Sequence, residues 1–228
     1  MLQALFNDNT NPVFCYFSEN NQYEDLNSRF ENNFIDSTNV EDIAIEKFVS
    51  ILFVDIADFT HLSDKNSASS IAKMLKEYYE IAGRIIQKYN GSIIDYYGDG
   101  FLAIFGLNGS KKHPKNLIKA AMELQEAVKA FKPRVKELCH EDFNIRIGGH
   151  SGKIIWERIG IPGMHKHAAI GDSVNFASRI EQANKYLKTK FLVSENLYQQ
   201  IQKDVVVQKS FNIRAKGKEG MHRVYSLI

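Results

Sequence analysis

The sequence predicts an α/β protein of the α+β type, in which helices pack on a mostly antiparallel sheet. Short runs of β-branched and aromatic residues alternate with two long stretches of helical periodicity. The strand-like runs at 92–97 and 101–105 are separated by a Gly-Asp-Gly turn, and such hairpins join antiparallel strands. The order strand, helix, strand, strand, helix, strand is that of a ferredoxin-like βαββαβ core, which extra C-terminal strands follow.

The first half of the chain supplies most of this core. Residues 47–54 form an apolar run of strand length. Residues 68–90 carry helical periodicity, and Gly91 is a typical stop signal at the end of a helix. After the hairpin, residues 114–138 predict a second long helix, which Pro133 is expected to interrupt near its end.

The second half begins with a strand at 143–149, where apolar and polar residues alternate. A further pair of strands is predicted at 153–159 and 165–170. Asp172 or Ser173 then caps a helix that runs to about Tyr186. The remaining elements are a strand at 190–193, a helix at 194–203 and two or three closing strands within 205–210, 211–215 and 222–228.

Charge divides the chain into two parts. Residues 1–47 carry nine acidic residues against two basic ones, with weak periodicity. We expect residues 1–46 to be an acidic N-terminal extension and residues 47–228 to form one domain. Aromatic residues in the extension could anchor it, so a solvated arm and an arm docked in a dimer both stay open.

The bulk composition excludes several classes of function. A net charge of +2 gives no general basic field, so nucleic acid is not an expected partner. No apolar run reaches the length of a membrane span, and the N-terminus has no signal-peptide pattern. The two cysteines have no metal-site spacing, so they are interpreted as reduced thiols of a cytoplasmic protein.

Two aspartates at the ends of strand-like runs are candidate metal ligands. Asp55 follows the first strand, and Asp99 lies in the hairpin turn. The ferredoxin-like order brings these two points together, and two neighbouring carboxylates need a compensating cation. With the carbonyl oxygen of Ile56, they form an oxygen-only set that suits Mg²⁺ or Mn²⁺. Taken alone, Asp99 between two glycines is better explained as a turn former.

Three residues near the C-terminus are candidate phosphate or ribose contacts. Asn175 and Arg179 are four residues apart, so they share one face of a helix. Arginine binds phosphate with two parallel hydrogen bonds, and Lys216, between strand-like runs, can reach a phosphate as a point charge. Each feature alone is also common on solvated surfaces.

Together these elements resemble the catalytic domain of class III nucleotidyl cyclases over about residues 47–228. Five motifs occur in the order of the family: FVDIADFT (53–60), YYGDGFLAIFG (96–106), IRIGGHSGKI (145–154), AAIGDSVNFASRIE (168–181) and AKGKEGMHRVYSL (215–227). The resemblance implies metal-dependent cyclisation of a nucleoside triphosphate to a 3′,5′-cyclic nucleotide plus pyrophosphate.

The resemblance also implies a role for each candidate. Asp55, Ile56 and Asp99 would hold two divalent ions, Mn²⁺ or Mg²⁺. Asn175 would position the ribose, Arg179 would stabilise charge at the reacting phosphorus, and Lys216 would hold the terminal phosphates. In this family one protomer gives the metal aspartates and the other gives the Asn and Arg. A homodimer with two equivalent intersubunit active sites is therefore expected.

The base-contact positions depart from the family. Adenylyl cyclases usually carry Lys and guanylyl cyclases Glu where this chain has Asp95, and Ala168 replaces the Asp, Thr or Cys of the second position. A carboxylate accepts hydrogen bonds, so it suits guanine, uracil or cytosine better than adenine N1. The bulky residues 156–158 and the tyrosines beside the hairpin leave little room for a purine.

This pattern is similar to the bacterial pyrimidine cyclases of anti-phage defence, which make cyclic UMP or cyclic CMP. Sequence favours UTP or CTP as the substrate without separating the two. An adenylate or guanylate cyclase of ordinary bacterial signalling is the alternative. A catalytically inactive cyclase-like domain, used for dimerisation or nucleotide sensing, is a rival that the intact set of candidates disfavours. A diguanylate cyclase is disfavoured because its GG[DE][DE]F signature is absent.

Overall fold

The computed structural model describes residues 44–161 and 164–227 of the 228-residue chain, so nearly all of the predicted 1–46 extension lies outside the described residues. The strands are β1 (Ile45–Ile56), β2 (Gly91–Tyr97), β3 (Gly100–Phe105), β4 (Ile145–Ile161), β5 (Met164–Ile170), β6 (Phe191–Ser194), β7 (Val207–Ile213) and β8 (His222–Leu227). The helices are α1 (Phe59–Lys65), α2 (Ala68–Lys88), α3 (His113–Cys139), α4 (Asp172–Leu187) and α5 (Glu195–Ile201).

One sheet contains all of the described strands. Its order is β2-β3-β1-β4-β6-β8-β7, and β5 pairs with the far end of β4. Within the described ranges, only β4 and β6 run parallel. The predicted ferredoxin-like core and the mostly antiparallel sheet are therefore confirmed. No helix in the described part of the chain is long and apolar enough to cross a membrane.

Three local predictions were wrong. The strands expected at 143–149 and 153–159 form one 17-residue strand, β4, because pairing with β1 continues through residues 150–152 between them. Likewise, β7 replaces the two short strands expected at 205–210 and 211–215. Pro133 lies inside α3 without ending it, since core residues on both sides of the proline hold the helix in place.

The short helix α1 was not predicted. It starts directly after Asp58, whose φ of 57° turns the chain sharply at the end of β1. A non-glycine residue in this left-handed region is uncommon and often marks a functional loop. The turn keeps the residues after Asp55 close to the end of the strand.

The two faces of the sheet are covered differently. On one face α2 and α3 bury a large core that contains Tyr78, Phe101 and Phe143. On the other face α4 packs against β4 and β1 over a smaller cluster. At Gly148 a Cβ atom would lie 2.3 Å from the backbone nitrogen of Glu181, so α4 can approach β4 only over a glycine.

Candidate active site

Asp55 and Asp99 meet at one end of the sheet. Asp55 is the next-to-last residue of β1, and Asp99 lies in the turn between β2 and β3. Strand β3 pairs with β1, and Val54 lies opposite Phe101, so the turn reaches the end of β1. At Gly100 a Cβ atom would lie 2.7 Å from the carbonyl oxygen of Val54, so glycine is required for this close approach.

Two tyrosine hydroxyls hold the hairpin turn in place, one from α2 and one from β2. Tyr79 of α2 donates a hydrogen bond of 2.9 Å from its hydroxyl to the carbonyl oxygen of Gly98. Tyr97 donates from its hydroxyl to the carbonyl oxygens of Val54 and Phe101, at 3.3 and 3.1 Å. These tyrosines fix the turn, and therefore Asp99, against β1.

The carboxyl group of Asp55 is close enough to perturb the ionisation of Asp99. Burial raises the pKa of Asp99 to about 7, and the neighbouring charge of Asp55 and a hydrogen bond to Asp55 add to this shift. The backbone N–H groups of Asp99 and Ile56 act in the opposite direction because they stabilise the carboxylate. The structure thus brings together Asp55, Asp99 and the main chain of Ile56, as the sequence predicted.

A polar cavity of about 430 Å³ opens beside this pair. Its walls come from the end of β1, from α1, from the hairpin turn, from β4 and from the last turns of α4. The lining residues are Asp55, Ile56, Asp58, Phe59, Thr60, His61, Asp64, Asp99, Arg146 and Lys185.

The sequence reasoning missed a buried bridge beside the aspartates. Arg146 lies opposite Asp55 in the β1–β4 pairing and donates to it at 2.9 Å. It also donates to Glu181 of α4 at 3.3 Å. Burial and the charge of Asp55 raise the pKa of Glu181 to about 7, whereas Arg146 acts to lower it. Both residues lie within the quoted motifs, but only the strand register identifies Arg146 as the partner of Asp55.

The oxygen donors here fit a hard divalent cation. Nowhere in residues 44–161 and 164–227 do three or more His, Cys, Asp or Glu residues form a metal-binding group. Two close carboxylates remain, and Mg²⁺ sites in nucleotide enzymes usually take one or two carboxylates and complete the shell with substrate phosphates and water. Mutual repulsion between Asp55 and Asp99 is the condition that such a cation relieves.

Asn175, Arg179 and Lys216 are not among the residues that line the cavity in the described part of the chain. Asn175 and Lys216 are exposed, and Arg179 donates to Gln182 on its own helix at 2.8 Å. The loop after β7, which carries Lys216, does contact the start of α4, the helix that carries Asn175 and Arg179. Lys218 forms an ion pair with Asp172, and its ammonium lies 4.7 Å from the ring centre of Phe176.

The two base-contact candidates lie on different strands. Asp95 is on β2, and its carboxylate is 3.0 Å from the ammonium of Lys166 on β5. Ala168 lies two residues further along β5, opposite Glu157 of β4. Sequence reasoning treated Asp95 as a free acceptor and did not identify Lys166, because nothing in the sequence pairs β5 with β2.

Comparisons with known proteins agree on one family. Residues 42–227 match the family described as adenylate and guanylate cyclase catalytic domain. Adenylate cyclase 1 of Rhizobium meliloti (strain 1021) is 28% identical over 181 residues, which are 79% of this chain and 27% of that protein. The receptor-type guanylate cyclase gcy-13 of Caenorhabditis elegans is 34% identical over 149 residues, 64% of this chain and 14% of that protein.

Solved structures share the fold. The adenylyl cyclase CyaB from P. aeruginosa superposes with a TM-score of 0.75 at 24% identity, covering 82% of this chain and 96% of that one. The chain spans about a quarter or less of the length of the two curated relatives above. The matched region includes β1, the hairpin and α4, and on this basis the chain belongs to the adenylate and guanylate cyclase catalytic domain family, the class III nucleotidyl cyclases.

Proposed function

We propose that this chain cyclises a nucleoside triphosphate to a 3′,5′-cyclic nucleotide and releases pyrophosphate. The observation that carries the proposal is the carboxyl pair of Asp55 and Asp99, held together at the end of β1 in a chain of this family. In the reaction the ribose 3′-oxygen attacks the α-phosphorus and loses its proton. The bond from the α-phosphorus to the bridging oxygen breaks, and pyrophosphate leaves.

Asp55, Asp99 and the carbonyl oxygen of Ile56 would hold two divalent ions, Mn²⁺ or Mg²⁺. When bound, such ions lower the pKa of the attacking hydroxyl and neutralise charge on the phosphates. Arg146 keeps the carboxylate of Asp55 oriented towards the cavity from the neighbouring strand. Buried Glu181 holds the other side of the guanidinium, so the bridge is fixed from both ends.

Asn175, Arg179 and Lys216 would act on a substrate bound across a dimer interface. Arg179 would stabilise charge at the phosphorus, and Asn175 would orient the ribose. Their position outside the lining of the cavity favours a site completed by a second copy of the chain. Exposed apolar side chains on the β4–β5 hairpin also favour a homodimer: Ile155, Ile161, Met164 and Ile170 are 36, 64, 64 and 48% exposed.

A pyrimidine triphosphate, UTP or CTP, remains our proposal for the substrate, and an anti-phage second messenger for the product. The substrate proposal rests on Asp95, Ala168 and the bulky residues at 156–158, and the role of the product rests on the resemblance to the pyrimidine cyclases of anti-phage defence. The ring of Trp156 stacks on that of His167 of β5, with the ring centres 5.1 Å apart. A purine substrate, as in the adenylate and guanylate cyclases above, fits the comparisons at least as well.

The direct test is turnover of ATP, GTP, CTP and UTP by the purified full chain with Mn²⁺. We expect one cyclic mononucleotide and an equal amount of pyrophosphate, separated by chromatography and identified by mass. A folded, dimeric protein that converts none of the four would overturn the enzymatic proposal and favour an inactive cyclase-like domain. The ranking of the four triphosphates decides between a pyrimidine and a purine.

Metal binding should depend on pH through Asp99. Because its pKa is about 7, the carboxyl group is protonated below that pH, and a bound cation must displace the proton. Without nucleotide, the affinity for Mn²⁺ should rise about tenfold for each pH unit up to pH 7 and then level off. Electron paramagnetic resonance of free Mn²⁺ between pH 5.5 and 8.5 measures it. An Asp99→Asn variant should bind weakly with no such slope, and a flat wild-type profile would contradict the assignment.

A further inference from the structure

The loop between β7 and β8 carries Lys216 in a tight turn. The backbone N–H of Lys218 donates a hydrogen bond of 3.0 Å to the carbonyl oxygen of Ala215. This bond closes a four-residue β-turn with Lys216 and Gly217 at its centre. The φ of 83° at Gly217 suits the third position of a type II turn. Ala215 is buried in the same apolar cluster as Phe176, whereas Lys216 at the tip is exposed.

The two lysines of this turn have different surroundings. The side chain of Lys218 is 25% exposed, and its ammonium group pairs with Asp172 and lies 4.7 Å from the ring centre of Phe176. The side chain of Lys216 forms no hydrogen bond or ion pair with any residue that the structure describes. A lysine already held by a carboxylate and an aromatic ring is not free to bind a phosphate. Of the two, Lys216 is therefore the one available to substrate.

Phe176 gives Lys218 a fixed surface to pack on. Its ring is buried and lies edge-on to the imidazole rings of His150 and His222, with ring centres 5.0 and 5.1 Å apart. Burial lowers the pKa of His150 to about 4, and the charge of Lys218 adds to this shift. The imidazole of His150 is therefore neutral near pH 7 and does not repel the ammonium.

These contacts fasten the turn to the helix that carries Arg179. Asp172 and Phe176 both lie near the start of α4. Only two steps of the chain separate Lys218 from Lys216, so their Cα atoms are at most about 7 Å apart. Resting on the proposed function, we propose that Lys218 is a positioning residue, which holds the turn on α4 so that Lys216 and Arg179 meet the phosphates of one substrate together.

Order in this loop matters because its backbone is intrinsically free. Gly217 and Gly220 have φ values of 83 and 78°, and glycine is the residue with the most conformational freedom. A turn that is held in place before the substrate arrives avoids part of the entropic cost of binding. The effect of Lys218 should therefore appear in substrate affinity, and only while Lys216 is present.

The test removes the charge of Lys218. Lys218→Met keeps the apolar stem, and both the KM and the Kd of the triphosphate should rise about fivefold or more with kcat little changed. Lys218→Arg keeps a cation for Asp172 and for the ring, so it should restore most of the affinity. The matched control is Lys88→Met, since Lys88 also pairs with a carboxylate, Glu123, and lies near an aromatic ring. It belongs to α2, on the opposite face of the sheet, and its loss should change neither constant.

Two further variants separate positioning from direct phosphate contact. If Lys218 bound phosphate itself, Asp172→Asn would release it and affinity would hold or improve, whereas positioning predicts a loss like that of Lys218→Met. In a Lys216→Met chain, adding Lys218→Met should weaken binding no further, although losses in thermal stability should still add. Unchanged affinity in Asp172→Asn, or additive losses of affinity in the double variant, would overturn the positioning role.

Binding separates this proposal from the proposed function. Displacement of a fluorescent nucleotide by ATP, GTP, CTP or UTP, with Ca²⁺ in place of Mn²⁺, gives affinities that need no turnover. An inactive protein whose affinities follow this pattern would overturn the enzymatic proposal and support the role of Lys218. An active protein whose KM and affinity are unchanged in Lys218→Met would overturn the role of Lys218 alone. Failure to bind any triphosphate would overturn both.

Discussion

Replacing Asp99 with alanine should lower cyclisation by at least about 1,000-fold, because one of the two carboxylates that we propose as metal ligands is lost. Burial raises the pKa of Asp99 to about 7, and the charge of neighbouring Asp55 and a hydrogen bond to it add to this rise. No neighbouring acid can take its place on the hairpin turn, where glycines flank it on both sides. The rate should be measured with the best triphosphate at saturating Mn²⁺.

Unfolding should not explain this loss. Ionising a buried carboxyl group whose folded pKa is raised costs folding free energy, and this cost grows as the pH rises from about 4 to about 7. Alanine removes the cost, so the metal-free variant at pH 8 should melt no lower than the wild type. As a matched control, Asp204→Ala removes an exposed aspartate paired with Lys115, remote from the cavity, and should leave the rate unchanged. Near-normal turnover by Asp99→Ala would refute the metal assignment.

The sequence predicted the parts of the site that local chemistry defines. Asp55 and Asp99 stand out because charges at strand ends need compensation, and the strand order brings those ends together. Arg146 and Lys166 could not be found this way, because their partners are set by tertiary geometry. Arg146 reaches Asp55 through the register of β1 and β4, and Lys166 reaches Asp95 from a strand that is not its neighbour in the sheet.

Contacts set by tertiary geometry also explain why the fold prediction erred at β4. The sequence predicted two strands, at 143–149 and 153–159, where the structure has the single strand β4, and the glycines of β4 at 148 and 152 are positions where atoms of α4 come close. At Gly152, for example, a Cβ atom would lie 2.3 Å from the hydroxyl oxygen of Ser173 near the start of α4. A glycine needed for packing and a glycine that ends a strand look alike in sequence, and only the neighbour across the sheet separates them.

Mixing two inactive variants should restore activity if each site is shared between two chains. An Asp55→Ala chain keeps Asn175 and Arg179, while an Arg179→Ala chain keeps both metal aspartates. In a dimer of one of each, one site combines the intact aspartates of one chain with the intact arginine of the other. Random exchange makes half of the dimers mixed, and each has one working site, so about a quarter of wild-type activity should return.

A site built within a single chain gives a different result, because every chain in the mixture then lacks an essential residue and no activity returns. The residues that line the cavity already favour the shared site. Arg146 and Lys185 line it together with the aspartates, whereas Arg179 is not among the described residues that do so. A useful control mixes Asp55→Ala with Asp99→Ala. Both lesions then affect the same half of the site, so each mixed dimer should have two damaged metal sites and should stay inactive. Recovery in the first mixture and not in the second would establish which half of the site each residue belongs to.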